Sequence, residues 1–260
     1  MLDKEQLDNL HAFLDQEAAR INNPEFITKD PVQFPRRFSS VRDIEIVSLL
    51  SATIAWGNRK MICNNCEKML AIMENEPSAF VDSQDYELLP DELNIHRTFF
   101  VRNFKYMMRG LSNIYRKHSS INDFAQAHHV GDSEEPAWML AKLLLQEFAE
   151  ANGGTSDSRC LPTNLSSTAL KRINMALRWL VRDDGIVDMG VWTAISPAQL
   201  FIPLDVHVGD TARALGMISR RANDKKTVIQ LTQLLRTMRP DDPVLYDYAL
   251  FGIGIGGGLV

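Results

Sequence analysis

One aspartate stands where the chain changes from an extended segment to a helix, in the stretch from Ile202 to Gly216. Proline favours an extended residue before it, so Pro203 predicts a loop, after which Asp205 begins a helix that Gly216 ends. An ionised carboxylate fixed at a helix start can stabilise developing positive charge and can activate an attacking water or amine. The simpler interpretation is an N-cap, in which the carboxylate stabilises the helix by roughly 1 kcal/mol.

A run of basic residues lies upstream of Asp205. From Arg159 to Arg182 the chain carries five positive charges and no acidic residue, although its net charge is −5. These residues are Arg159, Lys171, Arg172, Arg178 and Arg182. On a helical wheel Lys171, Arg178 and Arg182 share one face, opposite an apolar face. The stripe is either an ordinary solvated surface or a surface that contacts phosphates.

The segment around Asp205 resembles the helix-hairpin-helix-GPD superfamily of DNA glycosylases. The matching residues are Pro203, Asp205 and His207, followed by the segment Ala212 to Gly216. The resemblance implies an all-α fold, a two-lobed helical bundle of the helix-hairpin-helix DNA glycosylase type with a cleft between the lobes. It also implies that Asp205 is catalytic and stabilises the positive charge on the sugar as the N-glycosidic bond breaks.

The same resemblance gives a role to Lys171. Lyase-active members carry a lysine on the helix before the catalytic aspartate, and its amine attacks the sugar to form a Schiff base. Lys171 matches because it opens its helix; if it is not the nucleophile, water attacks instead. The chain departs from the common pattern because the segment Leu161 to Leu165 lacks the usual hairpin glycines. Lys171 is also farther from Asp205 than usual, as in archaeal 8-oxoguanine glycosylases.

Further residues are expected at the DNA. The segment 46–53 resembles the apolar helix after which glycosylases approach the duplex, and Asn58 and Arg59 follow it here. These two residues are predicted to contact DNA beside an extruded base, or else to form a polar turn between helices. The other residues predicted to contact DNA are Arg172, Arg178, Arg182 and His207. A structural role is the alternative for His207.

A wider resemblance links the chain to an uncharacterised bacterial family on the fringe of this superfamily. It reaches from about Ser39 to Phe251. The segments that carry it are Lys171 to Asn174, Arg178 to Arg182, Pro203 to His207, Asp242 to Val244 and Tyr246 to Gly252. That family brings no established substrate, so the chemistry is inferred from the superfamily alone.

Helical periodicity recurs along the chain, and strand signals are nearly absent. The predicted helices are 3–21, 39–56, 59–73, 98–117, 121–128, 134–151, 167–182, 191–195, 206–215, 225–238 and 243–253. Residues 22–38, with three prolines, are predicted to form an extended loop. The flexible connector 152–164 separates a lobe 1–151, whose first helix is free to pack on the other lobe, from a lobe 152–260 that carries the site. The glycine-rich C-terminus from Gly252 is predicted to fray.

Composition narrows the class of protein. A length of 260 residues with 45% hydrophobic content suits one compact unit or two closely packed lobes. No apolar run could cross a bilayer and the N-terminus does not resemble a secretory signal, so a cytoplasmic protein without a membrane partner is expected. Three cysteines argue against a disulfide framework, and Cys63 and Cys66 are interpreted as packing residues. No cofactor, no metal and a monomeric state are expected.

Several other polar and aromatic residues have a structural interpretation. Asp241, Asp242 and Asp247 are predicted to cap the last helix, where the helix dipole favours acids. The tryptophans are predicted to lie in the core, with Trp179 also near the basic face.

Three functions remain open from the sequence. The leading hypothesis is a DNA base-excision repair glycosylase that binds double-stranded DNA and cleaves the N-glycosidic bond of a flipped, damaged base. AP-lyase activity would accompany it if Lys171 is the nucleophile. The alternative is a catalytically inactive nucleic-acid-binding protein of the same fold, and the third hypothesis is a helical protein-interaction domain.

Overall fold

The computed structural model describes residues 3–256, and helices make up most of them. The α-helices are α1 (Lys4–Ile21), α2 (Pro24–Lys29), α3 (Val41–Thr53), α4 (Arg59–Ile72), α5 (Pro77–Ser83), α6 (Val101–Tyr115), α7 (Ile121–Ala127), α8 (Pro136–Ala151), α9 (Lys171–Val181), α10 (Val206–Ala214), α11 (Lys225–Met238) and α12 (Tyr246–Gly256). Two strands, β1 (Asn94–His96) and β2 (Phe99–Phe100), form an antiparallel hairpin before α6. The all-α class is confirmed.

Short 3-10 helices connect several of these elements. They are Pro31–Gln33, Pro35–Arg37, Asp85–Leu88, Val130–Asp132, Pro197–Gln199 and Pro243–Leu245. The prediction of an extended loop over 22–38 is wrong, because Pro24, Pro31 and Pro35 each open a helical turn. Proline is favoured at a first helical position, where its missing N–H has no helical partner to lose.

Other differences from the predicted elements have local causes. Helix α5 and the β1–β2 hairpin were not expected, and the predicted helix at 191–195 is absent from the described chain. There the backbone bonds to α9 instead: Met189 N–H donates to the Trp179 carbonyl, and Trp192 N–H donates to the Leu180 carbonyl. Helix α9 starts at Lys171 because the buried Leu170 has a left-handed conformation, with φ of 50°.

The packing of the helices brings distant parts of the chain together. Helix α1 packs along α12, α12 also packs on α10, α3 packs on α9, and α6 packs on α8. Gly252 of α12 faces Ile21, and a methyl group at this glycine would lie 2.5 Å from the Ile21 side chain. The predicted fraying is therefore wrong for 252–256, where glycine permits close helix packing; the remaining tail, 257–260, lies outside the described residues.

The three cysteines are free thiols. Cys66 and Cys160 are buried, and Cys63 is half-buried at the edge of the core. Burial raises the pKa of the Cys66 thiol to about 12, which disfavours a reactive thiolate at this position. Among helices within residues 3–256, none combines the length and apolar character that spanning a bilayer requires.

Candidate functional site

A cleft of about 940 Å³ opens where helices from both ends of the chain meet. Its walls come from α2, α4, α9, α10 and α12 together with loop residues. The lining residues used below are Phe26, Asp30, Trp56, Gly57, Arg59, Thr98, Arg159, Lys171, Arg172, Arg178, Asp205, His207, Asp247 and Phe251. The volume is large enough to admit a nucleotide-sized group.

Asp205 is fixed at the start of α10 and also faces the cleft. Its backbone is extended, its Oδ1 accepts the Val208 N–H at 3.1 Å, and its carbonyl accepts from Asn223 Nδ2 at 3.0 Å. The N-cap interpretation is therefore confirmed. One carboxylate oxygen serves as the cap while Oδ2 is directed toward Lys171, and the side chain is 26% exposed. Capping and a role in the cleft are thus compatible in one side chain.

Lys171 opens α9 on the opposite wall of the same cleft. Its Nζ lies 3.9 Å from Asp205 Oδ2 and 3.4 Å from Met175 Sδ, and the side chain is 27% exposed. This distance to the carboxylate is longer than a direct hydrogen bond, so the amine lies near the carboxylate but does not donate a hydrogen bond to it. The structure thus brings together the two residues that the sequence singled out as catalytic.

A second carboxylate, Asp247, lies on α12 in the same wall. It is buried and accepts a hydrogen bond from Arg178. Burial, assisted by the nearby Asp205 carboxylate, raises the pKa of Asp247 to about 6 against the opposing effects of Arg178 and Lys171. Asp247 lies in the first turn of the last helix, as the sequence predicts, but its carboxylate pairs with an arginine at the cleft instead of capping the helix.

Arg178 and Arg182 do not form the predicted phosphate-binding face. Their side chains are only 5% and 2% exposed. Arg178 Nε lies 3.3 Å from the buried Asp188, and Arg182 also pairs with Asp188. Arg182 binds Asp242 through Nε and Nη2, both at 2.8 Å, which replaces the predicted capping role of that aspartate.

The prediction that these two arginines contact DNA is corrected by this buried network. Both guanidinium groups lie against the ring of Tyr248, at 4.2 Å for Arg178 and 5.6 Å for Arg182. A buried cation requires a paired anion, and the acidic residues that follow α9 supply it. The two arginines therefore fix α9 to α12, which holds Lys171 and Asp247 in one wall.

Arg172 reaches the cleft but uses part of its guanidinium within the protein. Its Nη1 donates to the Thr53 carbonyl at 2.9 Å and to the Arg159 carbonyl at 2.8 Å. The guanidinium carbon lies 5.7 Å from the ring centroid of Trp56. Arg172 thus joins α3, α9 and the 152–170 connector at the edge of the cleft, and it retains further donors on the guanidinium.

Asn58 and Arg59 differ in their surroundings. Asn58 is exposed and caps α4 by accepting the Met61 N–H, as in the polar-turn interpretation. Arg59 lines the cleft between the Phe26 and Phe251 rings, 3.7 Å from Asp30 Oδ2. His207 is exposed at the cleft with its ring edge-on to Phe251.

The aromatic lining was missed by sequence reasoning. Phe26, Trp56 and Phe251 come from three separate parts of the chain and meet only in the folded protein. Trp56 is half-buried rather than in the core, and its ring lies edge-on to His96 at 4.8 Å. No spacing in the sequence connects these three rings, so only the tertiary structure reveals an aromatic cleft.

The described residues hold no candidate metal centre. Within residues 3–256, no three His, Cys, Asp or Glu side chains are placed to share one ion. The groups that line the cleft include one amine, three carboxylates, several guanidinium groups and aromatic rings.

One known protein family matches this chain over most of the elements described above. A family model described as Protein of unknown function (DUF2400) matches residues 30–256. This chain belongs to the DUF2400 family. No curated protein and no solved structure matches the chain. The match begins at Asp30, which lines the cleft, and ends with α12, so it includes Lys171, Asp205 and Asp247.

Proposed function

We propose that this protein is a DNA glycosylase of the helix-hairpin-helix type that removes a damaged base from double-stranded DNA. The observation that carries the proposal is the approach of Lys171 Nζ to Asp205 Oδ2, 3.9 Å apart in a cleft of about 940 Å³. An amine and a carboxylate in one groove are the groups that glycosidic-bond cleavage through a Schiff base uses. A two-lobed architecture around this cleft is part of the proposal.

Lys171 and Asp205 each have a defined step in the proposed reaction. The Lys171 nitrogen forms a bond to the sugar C1′ while the bond from C1′ to the base breaks. The electron pair of the broken bond leaves on the base, which then takes up a proton. The ionised Asp205 stabilises the positive charge that develops on the sugar and accepts a proton from the attached amine. Asp205 stays in place because its other oxygen caps α10.

The aromatic rings supply the surroundings for an extruded base. A base leaves the duplex stack at a cost of a few kcal/mol, which stacking on protein rings offsets. Trp56 and Phe251 line the cleft that holds Lys171 and Asp205, and each base offers a flat face to such rings. This lining supports a nucleobase as the group that enters the cleft.

Trapping with borohydride tests the proposal. Wild-type protein is incubated with duplex DNA that contains an abasic site, and reduction converts a Schiff base into a stable covalent adduct. The adduct is expected for wild type and for Lys142→Gln, an exposed lysine of α8 that does not line the cleft. It is expected to disappear in Lys171→Gln, because an amide cannot form an imine with the sugar.

Two results would contradict parts of the proposal. An adduct of unchanged yield in Lys171→Gln removes Lys171 from the nucleophile role. The alternative function, DNA binding without catalysis, predicts no adduct and no base release, together with salt-sensitive affinity for DNA that Asp205→Asn leaves intact. Asp205→Asn in a glycosylase should instead retain DNA binding and lose most of the base release.

A further inference from the structure

The rim of the cleft carries two arginines that make no contact with any acceptor. Among the arginines of residues 3–256, only Arg97, Arg159 and Arg221 have guanidinium groups without a salt bridge or a hydrogen bond. All three are exposed. Arg159 lines the cleft, and Arg97 lies beside it, because its neighbour Thr98 and its contact Gly57 are both lining residues.

Arg97 is held at the tip of the β1–β2 hairpin. Its backbone has a left-handed conformation, with φ of 51°, and its carbonyl accepts from Asn94 Nδ2 at 2.7 Å. Its Nη1 lies over Gly57, where a methyl group would come within 2.7 Å of it. Gly57 has φ of 102°, a conformation that glycine adopts without strain. A side chain at position 57 would therefore displace Arg97.

The hairpin is anchored to the floor of the cleft by the residue before Arg97. The buried His96 contacts the Trp56 carbonyl through Nε2 at 3.0 Å and Asn65 Nδ2 through Nδ1 at 2.8 Å. Burial lowers the pKa of His96, which favours the neutral ring. A neutral ring that donates from Nε2 and accepts at Nδ1 satisfies both contacts. The position of Arg97 is thus fixed relative to Trp56.

The backbone of Arg159 is also held in place, in this case by α9, the helix that begins with Lys171. Its carbonyl accepts from Arg172, the residue next to Lys171. The nearest acidic residue along the chain, Asp157, is engaged elsewhere, since it accepts hydrogen bonds from Asn103 Nδ2 and the Arg159 N–H. The guanidinium of Arg159 therefore keeps its donors available at the cleft, in a protein of net charge −5.

We propose that Arg97 and Arg159 form a phosphate clamp that holds the backbone of the DNA strand entering the cleft. Arginine suits this role because its planar fork can donate two hydrogen bonds to one phosphate. Both backbones are already fixed by the fold, so binding of the strand has to order only the two side chains. The clamp replaces the phosphate contacts that the sequence assigned to Arg178 and Arg182. It rests on the proposed function, because it names the partner of the same cleft.

Salt dependence of binding tests the clamp. The probe is a DNA duplex with a tetrahydrofuran abasic analogue, and its affinity for the full chain is measured by fluorescence anisotropy over a range of salt concentrations. Each phosphate contact contributes a slope of about 0.9 to the fall of log K with log salt. Arg97→Ala and Arg159→Ala should each lower the slope by about 0.9, and the double variant by about 1.8.

Two further variants separate a phosphate contact from other effects. Arg116→Ala removes the same charge from an exposed arginine after α6 that does not line the cleft, and it should keep the wild-type slope. Arg97→Lys retains the charge and should also keep the wild-type slope, which a purely structural role of Arg97 does not predict. Wild-type slopes in both alanine variants would overturn the clamp.

The two proposals fail in different ways. If wild type binds the duplex and forms the borohydride adduct while the alanine variants keep the wild-type slope, the clamp is wrong and the glycosylase proposal stands. If wild type shows neither salt-dependent binding nor an adduct, the glycosylase proposal is wrong, and the clamp is wrong with it.

Discussion

At the scale of single residues, the cleft places two carboxylates beside one amine. Asp205 is partly exposed and engaged as a cap, whereas Asp247 is buried against Arg178. Burial raises the pKa of Asp247, and the like charge of the neighbouring Asp205 acts in the same direction. The protonation state of Asp247 therefore sets the net negative charge around Lys171.

This arrangement predicts a pH dependence that belongs to Asp247. Its pKa is raised to about 6, so the carboxyl is neutral below that pH and becomes charged above it. A second negative charge stabilises the cationic iminium that Lys171 forms with the abasic sugar, so the rate of borohydride trapping should rise through pH 6 in wild type. Asp247→Asn should lack that step. Asp210→Asn, an exposed partner of Arg213, should retain it.

If Asp247→Asn and wild type show the same step near pH 6, the titrating group is another one. Asp247 would then have only a structural role as the partner of Arg178.

At the scale of elements, α9 is attached to α12 by charge as well as by apolar packing. Arg178 and Arg182 each pair with several aspartates, and none of their charge is directed at solvent. The network costs desolvation energy, so its net stabilisation is smaller than its number of contacts suggests. Its main consequence is geometrical, because it fixes the helix that begins with Lys171.

Removing one partner from this buried network should lower the free energy of unfolding more than removing one partner from a surface ion pair. Arg182→Met leaves Asp242 without a cation and leaves the buried Asp188 with Arg178 alone, so it should lower the free energy of unfolding by about 3–5 kcal/mol. Arg37→Met breaks the exposed pair with Glu67 and should cost no more than about 1 kcal/mol. Urea unfolding monitored by circular dichroism measures both values, and equal losses would contradict a structural role for the buried network.

The sequence predicts local features of this site well. The start of α10 at Asp205 follows from capping and proline signals close in the chain. The predicted helix 167–182 instead began four residues too early, because α9 starts only after the left-handed Leu170. Helical periodicity also assigns Arg178 and Arg182 to one face, yet it cannot say what covers that face. Asp184 and Asp188, which neutralise Arg182, lie in an irregular segment whose path depends on tertiary packing.

At the scale of the whole molecule, one buried glutamate joins three helices. Glu45 of α3 accepts the N–H groups of Ile121 and Asn122 at the start of α7, and the hydroxyl of Tyr115 at the end of α6. Burial raises the pKa of Glu45 to about 7 despite these donors. The folded protein therefore binds a proton at Glu45 over a pH range in which the unfolded chain releases it.

The sign of this effect gives a stability prediction. Because the folded pKa of Glu45 exceeds the unfolded value of 4.5, the stabilisation from its proton is present below pH 4.5 and is lost as pH rises to about 7. Over that range the free energy of unfolding of wild type should fall by about 3 kcal/mol relative to Glu45→Gln. Glu67→Gln, at an exposed glutamate, should follow wild type. Parallel curves for wild type and Glu45→Gln would contradict the prediction.

The contact between α1 and α12 has a consequence for how the protein is made. A ribosome synthesises α12 after every element that it contacts, and α12 supplies Asp247 and Phe251 to the cleft. Nascent chains fold from their N-terminal side as they emerge, so the face of α1 that packs on α12 stays uncovered until α12 has been translated. The cleft is thus completed only after α12 has been synthesised, and translation products that stop before α12 lack one of its walls.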